Sequence, residues 1–267
     1  MLANSVALIA DAGHNLGDVL GLAMAWGAYT MARWLPTGRY TYGFRSASIL
    51  AALFNGILLL LTTGAIAWES LRRLMTAPDA VDGGTVMAVA AAGIAVNGLS
   101  AALLMSGRRG DINIRGAFLH LLGDAAISVG VVVAGAAILA TGWNFLDPLV
   151  SLAIAVLIVW STFGLLREAV MMSLDAVPRG VDPARVRTYL HGLPGVTEVH
   201  DLHIWAISTT ETAMTAHLVR PGCGLDDHLL HDVCRELRER FGISHATLQV
   251  EAGDTGLDCP LAPDHVV

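Results

Sequence analysis

Two pairs of histidine and aspartate residues in this chain have the types and the spacing that bind a metal ion. His14 and Asp18 lie in SVALIADAGHNLGD, and His120 and Asp124 lie in AFLHLLGDAAISVG. A separation of four residues places both members of a pair on one face of an α-helix, one turn apart. The two pairs offer two imidazole nitrogens and two carboxylates, which is a complete tetrahedral set for a divalent ion such as zinc.

Both pairs stand inside long apolar runs, where ionisable groups are costly and usually mark a functional path. Hydrogen bonding between helices is the alternative interpretation, and the paired register of four ligating groups argues against it. Asp11, one turn before His14, has three open interpretations. It lines an exit path for the ion, orients His14 by accepting a hydrogen bond, or caps the start of the helix.

The composition indicates a membrane protein. Of the 267 residues 54% are hydrophobic and only 15% are charged, and the mean hydropathy is +0.59. A helix needs about 20 apolar residues to cross a bilayer. Five segments satisfy this requirement, at about 5–32, 47–68, 85–106, 116–141 and 146–166. The sequence therefore predicts an α-helical transmembrane domain with five helices and the lipid bilayer as its surroundings.

Arginines orient these segments, because positively charged residues concentrate in cytoplasmic loops. The loops on one side hold most of them: Arg33, Arg39, Arg45, Arg108, Arg109, Arg115 and Arg167. The loops on the other side hold only Arg72 and Arg73. We expect a multi-pass protein of the inner (plasma) membrane with its C-terminal domain in the cytoplasm. These features together indicate a membrane metal transporter.

The stretch DAVPRGVDP ends the apolar pattern and divides the chain into domains at 1–175 and 176–267. After it, the residue patterns predict the order α-β-β-α-β, which is typical of a small ferredoxin-like α+β domain. This part is acidic, and the chain shows no basic cluster of the kind that binds nucleic acid. We therefore expect a cytosolic domain and no nucleic-acid partner.

The motifs together resemble the cation diffusion facilitator family. The resemblance covers nearly the whole chain. The motifs that match are SVALIADAGHNLGD, YTYGFR, RGAFLHLLGDAAISVG, WNFLDPLVSL, HDLHIW and HATLQVE. The short loop SGRRGDINIRG is similar to the bacterial type. The resemblance implies a six-helix membrane domain, a homodimer, and exchange of zinc, or alternatively cobalt or cadmium, for protons. Its transport site falls on His14, Asp18, His120 and Asp124.

The resemblance also implies a regulatory zinc site in the cytosolic domain. The matching positions are His200, His217, His231 and Glu251. Gln249 stands where another ligand histidine often occurs, so one of two adjacent ions is expected to be lost or weakly bound. Cys259, in LDCP, is a further candidate for a thiolate ligand near the dimer interface.

Two departures from the family pattern stand out. Met1 falls where the loop before the second family helix is expected, so the first transmembrane helix is expected to be missing. In the loop RYTYGFR, Tyr40 and Phe44 replace histidines that form a further metal site in some members, and we expect that site to be absent.

Two other function classes remain as alternatives. A transport-inactive truncated homologue or metal sensor follows from the expected missing helix. A membrane metalloenzyme needs an open metal position and a general base, typically His-Glu-x-x-His on a helix. The sequence contains no such motif, which favours a transporter over an enzyme.

Overall fold

The structure, a computed structural model, describes residues 4–76, 80–105, 112–223, 226–253 and 259–262, with the side chains of 112–117 left out. Five long helices fill its first part: α1 Val6–Ala32, α2 Ala47–Met75, α3 Gly83–Leu104, α4 Ile112–Thr141 and α5 Leu146–Ser173. They confirm the five predicted segments. Arg108 and Arg109 of the predicted cytoplasmic loop lie outside the described residues.

Helices α2 and α5 continue past the predicted ends of their apolar segments. The last turns of α2 hold Glu69, whose carboxylate lies 2.9 Å from Arg72 Nε and 3.0 Å from Arg73 Nε. Ion pairs at separations of three and four residues stabilise a helix after its apolar sequence has ended.

Four of the described helices, α2 to α5, are long and apolar enough to cross a membrane. Helix α1 is equally long, with 27 residues, but Asp11, His14 and Asp18 interrupt its apolar sequence. The side chains of these helices are distributed as a bilayer requires. Large apolar residues point outward, including Leu61, Leu103 and Trp160, whereas Ser70, Ser128 and Ser151 are fully buried. Polar groups in a membrane protein turn to the protein interior because lipid offers them no hydrogen bonds.

Small residues let the helices of the membrane part approach closely. Gly83 of α3 and Gly135 of α4 face each other, and a Cβ atom added at Gly83 would lie 2.7 Å from the Gly135 carbonyl oxygen. On α1, added Cβ atoms at Gly17 and Gly21 would overlap Leu59 and Asn55 of α2. Backbones that approach this closely pack well without a hydrophobic driving force between helices.

The last part of the chain is a two-layer α+β domain, as predicted. Its elements are α6 Pro183–His191, β1 Glu198–Ala206, β2 Thr212–Val219, α7 Asp227–Phe241 and β3 Ile243–Glu251. The sheet has the order β1-β2-β3, with β1 antiparallel and β3 parallel to β2. Helices α6 and α7 bury Val186, Leu190, Val233 and Leu237 against the apolar face of the sheet.

The chain forms two compact units, and each unit combines two separate stretches of the sequence. One comprises Met1–Ala23 and Phe54–Leu165, and the other comprises Met24–Leu53 and Leu166–Val267. Inside the second unit, Arg45 Nη1 donates to Glu211 Oε1 at 2.6 Å, and Ser46 Oγ donates to the Ile207 carbonyl at 3.2 Å. The loop before α2 therefore belongs with the β1–β2 hairpin.

Candidate metal centres

Helices α1 and α4 bring the two predicted His-Asp pairs together. His14 Nε2 lies 3.3 Å from Asp124 Oδ1 and 3.6 Å from Asp18 Oδ2. His120 Nε2 lies 3.3 Å from Asp18 Oδ2 and 3.6 Å from Asp124 Oδ2. Each histidine thus faces one carboxylate of its own helix and one of the other helix, so the site exists only when both helices are in place.

These separations match the edges of a tetrahedral metal site. Zinc bonds to imidazole nitrogen and carboxylate oxygen of about 2.0–2.2 Å place neighbouring ligand atoms about 3.3–3.5 Å apart. Ligand atoms of His14, Asp18 and Asp124 all lie within 4.8 Å of one another. His120 joins them through its two carboxylate contacts, and its side chain is 52% exposed.

Two atoms of the site lack hydrogen bonds although they are buried. Asp18 Oδ2 and His14 Nδ1 have no hydrogen-bond partner among the described residues. A buried polar atom without a partner loses about 1–3 kcal/mol relative to a satisfied one. Asp18 Oδ2 faces the imidazole nitrogens of His120 and His14 at 3.3 and 3.6 Å, and a divalent ion bound among them would take this oxygen as a ligand.

A cavity of about 600 Å³ adjoins the four residues in the membrane part. His14, His120 and Asp124 reach it from α1 and α4, and apolar side chains of α4 and α5 form the remaining wall, among them Ile127, Ile154 and Leu157. A cavity with few polar groups converging at one end is typical of a small-ligand site. The polar end here is the His-Asp cluster.

Asp11 is buried next to this cluster and contacts α4. Ser128 Oγ donates to both of its carboxylate oxygens at 3.2 Å, and Gly93 of α3 leaves room for the pair. Helix α1 begins at Val6, so Asp11 does not cap the helix start. Because His14 Nδ1 has no partner, Asp11 does not hold that nitrogen in this structure either. A position along the ion path remains among the three interpretations.

The start of α1 is capped by Ser5, whose Oγ accepts from Leu8 N at 3.1 Å, and by a second residue, Asp147, that sequence reasoning missed. Asp147 accepts hydrogen bonds from Ser5 Oγ, from Val6 N at 2.7 Å and from Ala7 N at 3.3 Å. Its side chain is 1% exposed. A carboxylate at a helix N-terminus satisfies free N–H groups and favours the helix dipole. The only signal in sequence is an acidic residue beside the proline of LDP in an apolar stretch.

In the cytosolic domain, a second cluster contains His200, His217, Glu251 and Cys259, whose ligand atoms all lie within 4.8 Å of one another. His200 and His217 are paired across β1 and β2, and Glu251 ends β3. Glu251 Oε1 lies 2.8 Å from His217 Nδ1 and 3.6 Å from His200 Nε2. Cys259 Sγ lies 3.6 Å from His217 Nδ1.

The donors of this cluster fit a metal ion. His200 is 4% exposed at its side chain, with its Nδ1 3.4 Å from Glu198 Oε1, and its Nε2 has no hydrogen-bond partner among the described residues. His217 Nε2 lies 3.4 Å from Asp201 Oδ2, so a carboxylate faces the nitrogen opposite the cluster. A carboxylate behind a ligand histidine fixes its ring and raises its basicity. Gln249 Nε2 donates to Glu251 Oε1 at 3.0 Å and orients that carboxylate.

His231, expected at this site from the resemblance, does not reach the cluster in the protomer. It lies on α7 with its side chain 78% exposed, 3.7 Å from Asp232. His231 lies outside the cluster because it is on the face of α7 that points away from the sheet. Val233 and Leu237 turn to the sheet, and a residue two positions before Val233 lies on nearly the opposite face. Within the protomer, the described residues bring Cys259 and not His231 to the other three residues. The role of His231 as a ligand stays a prediction.

The remaining candidate histidines have other contacts. His203 Nε2 lies 2.8 Å from Asp201 Oδ1, and Asp201 has a φ of 50° at a bulge between His200 and His203. The ring of His245 packs against Tyr42 at 5.5 Å between centroids.

Aromatic packing fills the loop where some family members carry a further metal site. The rings of Tyr40 and Phe44 lie 4.7 Å apart, and Trp34 lies 5.6 Å from Phe44.

Comparisons with known proteins agree with both halves of the fold. Residues 1–172 match the model of the cation efflux transmembrane domain, and residues 178–253 match that of the cation efflux protein, cytoplasmic domain. The zinc transporter ZitB of Escherichia coli (strain K12) is 38% identical over 263 residues, which cover 97% of this chain and 83% of that protein.

Two further similarities concern named metal transporters. The cadmium, cobalt and zinc/H(+)-K(+) antiporter of Bacillus subtilis (strain 168) is 33% identical over 255 residues, covering 94% of this chain and 81% of that protein. The solved metal-bound C-terminal domain of the CzcD transporter from Cuprividus metallidurans is 35% identical, with a TM-score of 0.25, and the match covers 27% of this chain and 99% of that domain. The chain belongs to the cation efflux family, the cation diffusion facilitators, and is a membrane transporter and not an enzyme.

Proposed function

We propose that this protein exports zinc from the cytoplasm across the inner membrane in exchange for protons, with the ion held by His14, Asp18, His120 and Asp124. The observation that carries the proposal is the interlocking of the two pairs, with nitrogen to oxygen distances of 3.3–3.6 Å across two helices. Efflux of a divalent metal by a multi-pass membrane protein follows from the family itself. We propose in addition that zinc is the main substrate and that these four residues are its ligands.

The charges of the site suit both the ion and the exchange. Two carboxylates neutralise a divalent ion, and two neutral imidazoles complete a tetrahedral shell. These ligands must lose protons to bind metal, so protons and metal compete for the same atoms. Zinc from the cytoplasm displaces protons, the helices rearrange, and protons from outside then release the ion. Apart from Ser161, the wall of the cavity beside the site is apolar among the described residues.

Zinc is proposed over other ions because of the mixed nitrogen and oxygen set. Imidazole favours zinc and cobalt, whereas sites made only of oxygen favour harder ions such as magnesium or manganese. The similar proteins carry names that mention zinc, cadmium and cobalt. Cobalt and cadmium are therefore the alternative substrates, in that order of ligand preference.

The cytosolic domain, proposed at 176–267, supports transport as a homodimer with a regulatory metal site. The matched cytoplasmic-domain model is that of a dimerising domain. His200, His217 and Glu251 supply donors from three different strands, so a bound ion joins the strands and stiffens the domain. Because the ligands need to be deprotonated and assembled, metal binding there is coupled to folding. The site would then report the cytosolic metal level.

The alternative of a transport-inactive sensor makes a different prediction about flux. A sensor keeps the cytosolic site and carries no ion, whereas a transporter moves zinc against protons. The test is zinc flux into proteoliposomes with an imposed pH gradient, recorded together with proton movement by a pH-sensitive dye. Saturable zinc flux accompanied by opposite proton flux supports the proposal. Zinc binding without flux identifies a sensor.

A further inference from the structure

Cys259 stands beside the cytosolic cluster and completes it. The sulfur lies 3.6 Å from His217 Nδ1, and it belongs to the group of four donors that also contains His200 and Glu251. We propose that Cys259 is the fourth ligand of the cytosolic metal site, bound as a thiolate, and that it makes the site selective for zinc and cadmium over harder ions. This inference rests on the regulatory metal site of the proposed function.

The distance suits shared coordination. With zinc bonds of about 2.3 Å to sulfur and 2.0–2.1 Å to nitrogen, the two ligand atoms of a tetrahedral site lie about 3.6 Å apart. The Glu251 and His217 atoms, at 2.8 Å, are closer than such an edge and need to separate by only a fraction of an ångström. The cysteine is therefore already placed where the fourth bond would form.

A second observation points to a ligand at the same place. His200 is nearly enclosed, and its Nδ1 lies 3.4 Å from Glu198 Oε1. Its Nε2, the nitrogen nearer Glu251, has no hydrogen-bond partner among the residues that the structure describes. A buried imidazole nitrogen without a partner is unfavourable, and a metal bound at Nε2 removes part of that deficit. Glu251, 3.6 Å from this nitrogen, and Cys259 then share the same ion with it.

The charges balance when the thiol loses its proton. The S–H bond of Cys259 breaks, the proton goes to solvent, and a bond forms from sulfur to the metal. One thiolate and one carboxylate then neutralise the divalent ion. Sulfur is a soft ligand and favours zinc and cadmium over manganese or magnesium. This donor set differs from that of the transport site, which contains no sulfur.

The chain's other cysteines supply matched controls. Cys234 lies on α7 and is partly exposed, and Cys223 is exposed. Neither belongs to the described cluster of four donors. Cys234→Ser therefore changes a thiol of the same domain without changing the proposed ligand set, and Cys259→Ser removes only the proposed ligand.

The test is titration of the reduced full-length chain in detergent with cobalt, which absorbs in the near ultraviolet only when a thiolate is bound to it. We expect this absorption in the wild type and in Cys234→Ser, and its loss in Cys259→Ser, with zinc affinity of the cytosolic site falling about tenfold or more. Its persistence in Cys259→Ser, or its absence from the wild type, would overturn the inference.

Alkylation of the wild type gives a second measurement that does not depend on a variant folding. We expect iodoacetamide to modify Cys259 in metal-free protein and zinc to protect it, while Cys223 is modified in both conditions. Equal modification of Cys259 with and without zinc would contradict the inference. Zinc flux in proteoliposomes distinguishes failure of this inference from failure of the proposed function. Zinc flux without a thiolate signal would contradict only the role of Cys259 as a ligand. A thiolate signal without zinc flux would contradict the proposed transport.

Discussion

His14 Nε2 lies 3.3 Å from Asp124 Oδ1 although the two residues are 110 positions apart. The contact joins α1 to α4, and each residue also lies 3.6 Å from the other member of its own pair, Asp18 and His120 respectively. Because the four side chains are divided between two helices, a movement of one helix against the other would change the distances between the proposed ligands. Binding and release of an ion can thus be linked to helix rearrangement.

The selectivity of the transport site should depend on His14. Replacing it in His14→Asp leaves one nitrogen and three oxygens and adds a negative charge, which favours larger or harder ions. Zinc transport should survive, because zinc accepts carboxylate ligands. The measurement is the ratio of zinc to cadmium flux in paired proteoliposomes at equal pH gradient, and we expect it to fall. An unchanged ratio would place discrimination in the entry path and not in the ligands.

Zinc binding at the cytosolic site should depend on His217 and, within the protomer, should not depend on His231. His217→Ala removes a donor that faces both Glu251 and Cys259, so zinc should raise the Tm of the variant less than that of the wild type. A ligand at 100 times its Kd stabilises the folded state by about 2.7 kcal/mol, and this increment should be largely lost. Residual transport should remain.

His231→Ala is the matched control for that experiment. Its exposed side chain on α7 predicts a zinc-dependent Tm shift like that of the wild type in the monomeric state. A loss as large as that of His217→Ala would show that His231 is a ligand after all, supplied from a second copy of the chain.

The start of α1 should depend on Asp147. Asp147→Ala removes the acceptor of Ser5 Oγ and of two backbone N–H groups and leaves them buried, at a loss of about 1–3 kcal/mol. We expect a lower Tm in detergent with retained zinc binding. Asp82→Ala removes the exposed cap of α3 and should lower the Tm less. Equal Tm values for Asp147→Ala and the wild type would mean that the cap does not stabilise α1.

The four residues proposed for the transport site could be identified in the sequence because their spacing is local information. The spacing of His14 and Asp18, and of His120 and Asp124, places each pair on one helix face by helical periodicity alone. The five helices follow from apolar runs of sufficient length. The relative depth of the two pairs does not follow from residue spacing, since depth depends on how α1 and α4 pack.

Other parts of both sites depend on contacts between distant residues, which periodicity does not contain. Asp147 caps a helix that begins 141 residues earlier in the chain. Cys259 reaches His217 over 42 residues, whereas His231, chosen by position in a family motif, turns outward with its helix. In each case a local pattern identifies a residue of the right type, but only the tertiary fold determines which other residues it contacts.

The most direct test of the account is zinc flux through the Asp124→Ala variant in proteoliposomes with an imposed pH gradient. The substitution leaves one carboxylate against a divalent ion and an incomplete shell, so zinc flux and the coupled proton flux should both be abolished. Asp82→Asn, a change of the same charge outside the cluster, should keep both, and equal elution on size exclusion should show that both variants fold. Wild-type flux through Asp124→Ala would contradict the four-ligand site.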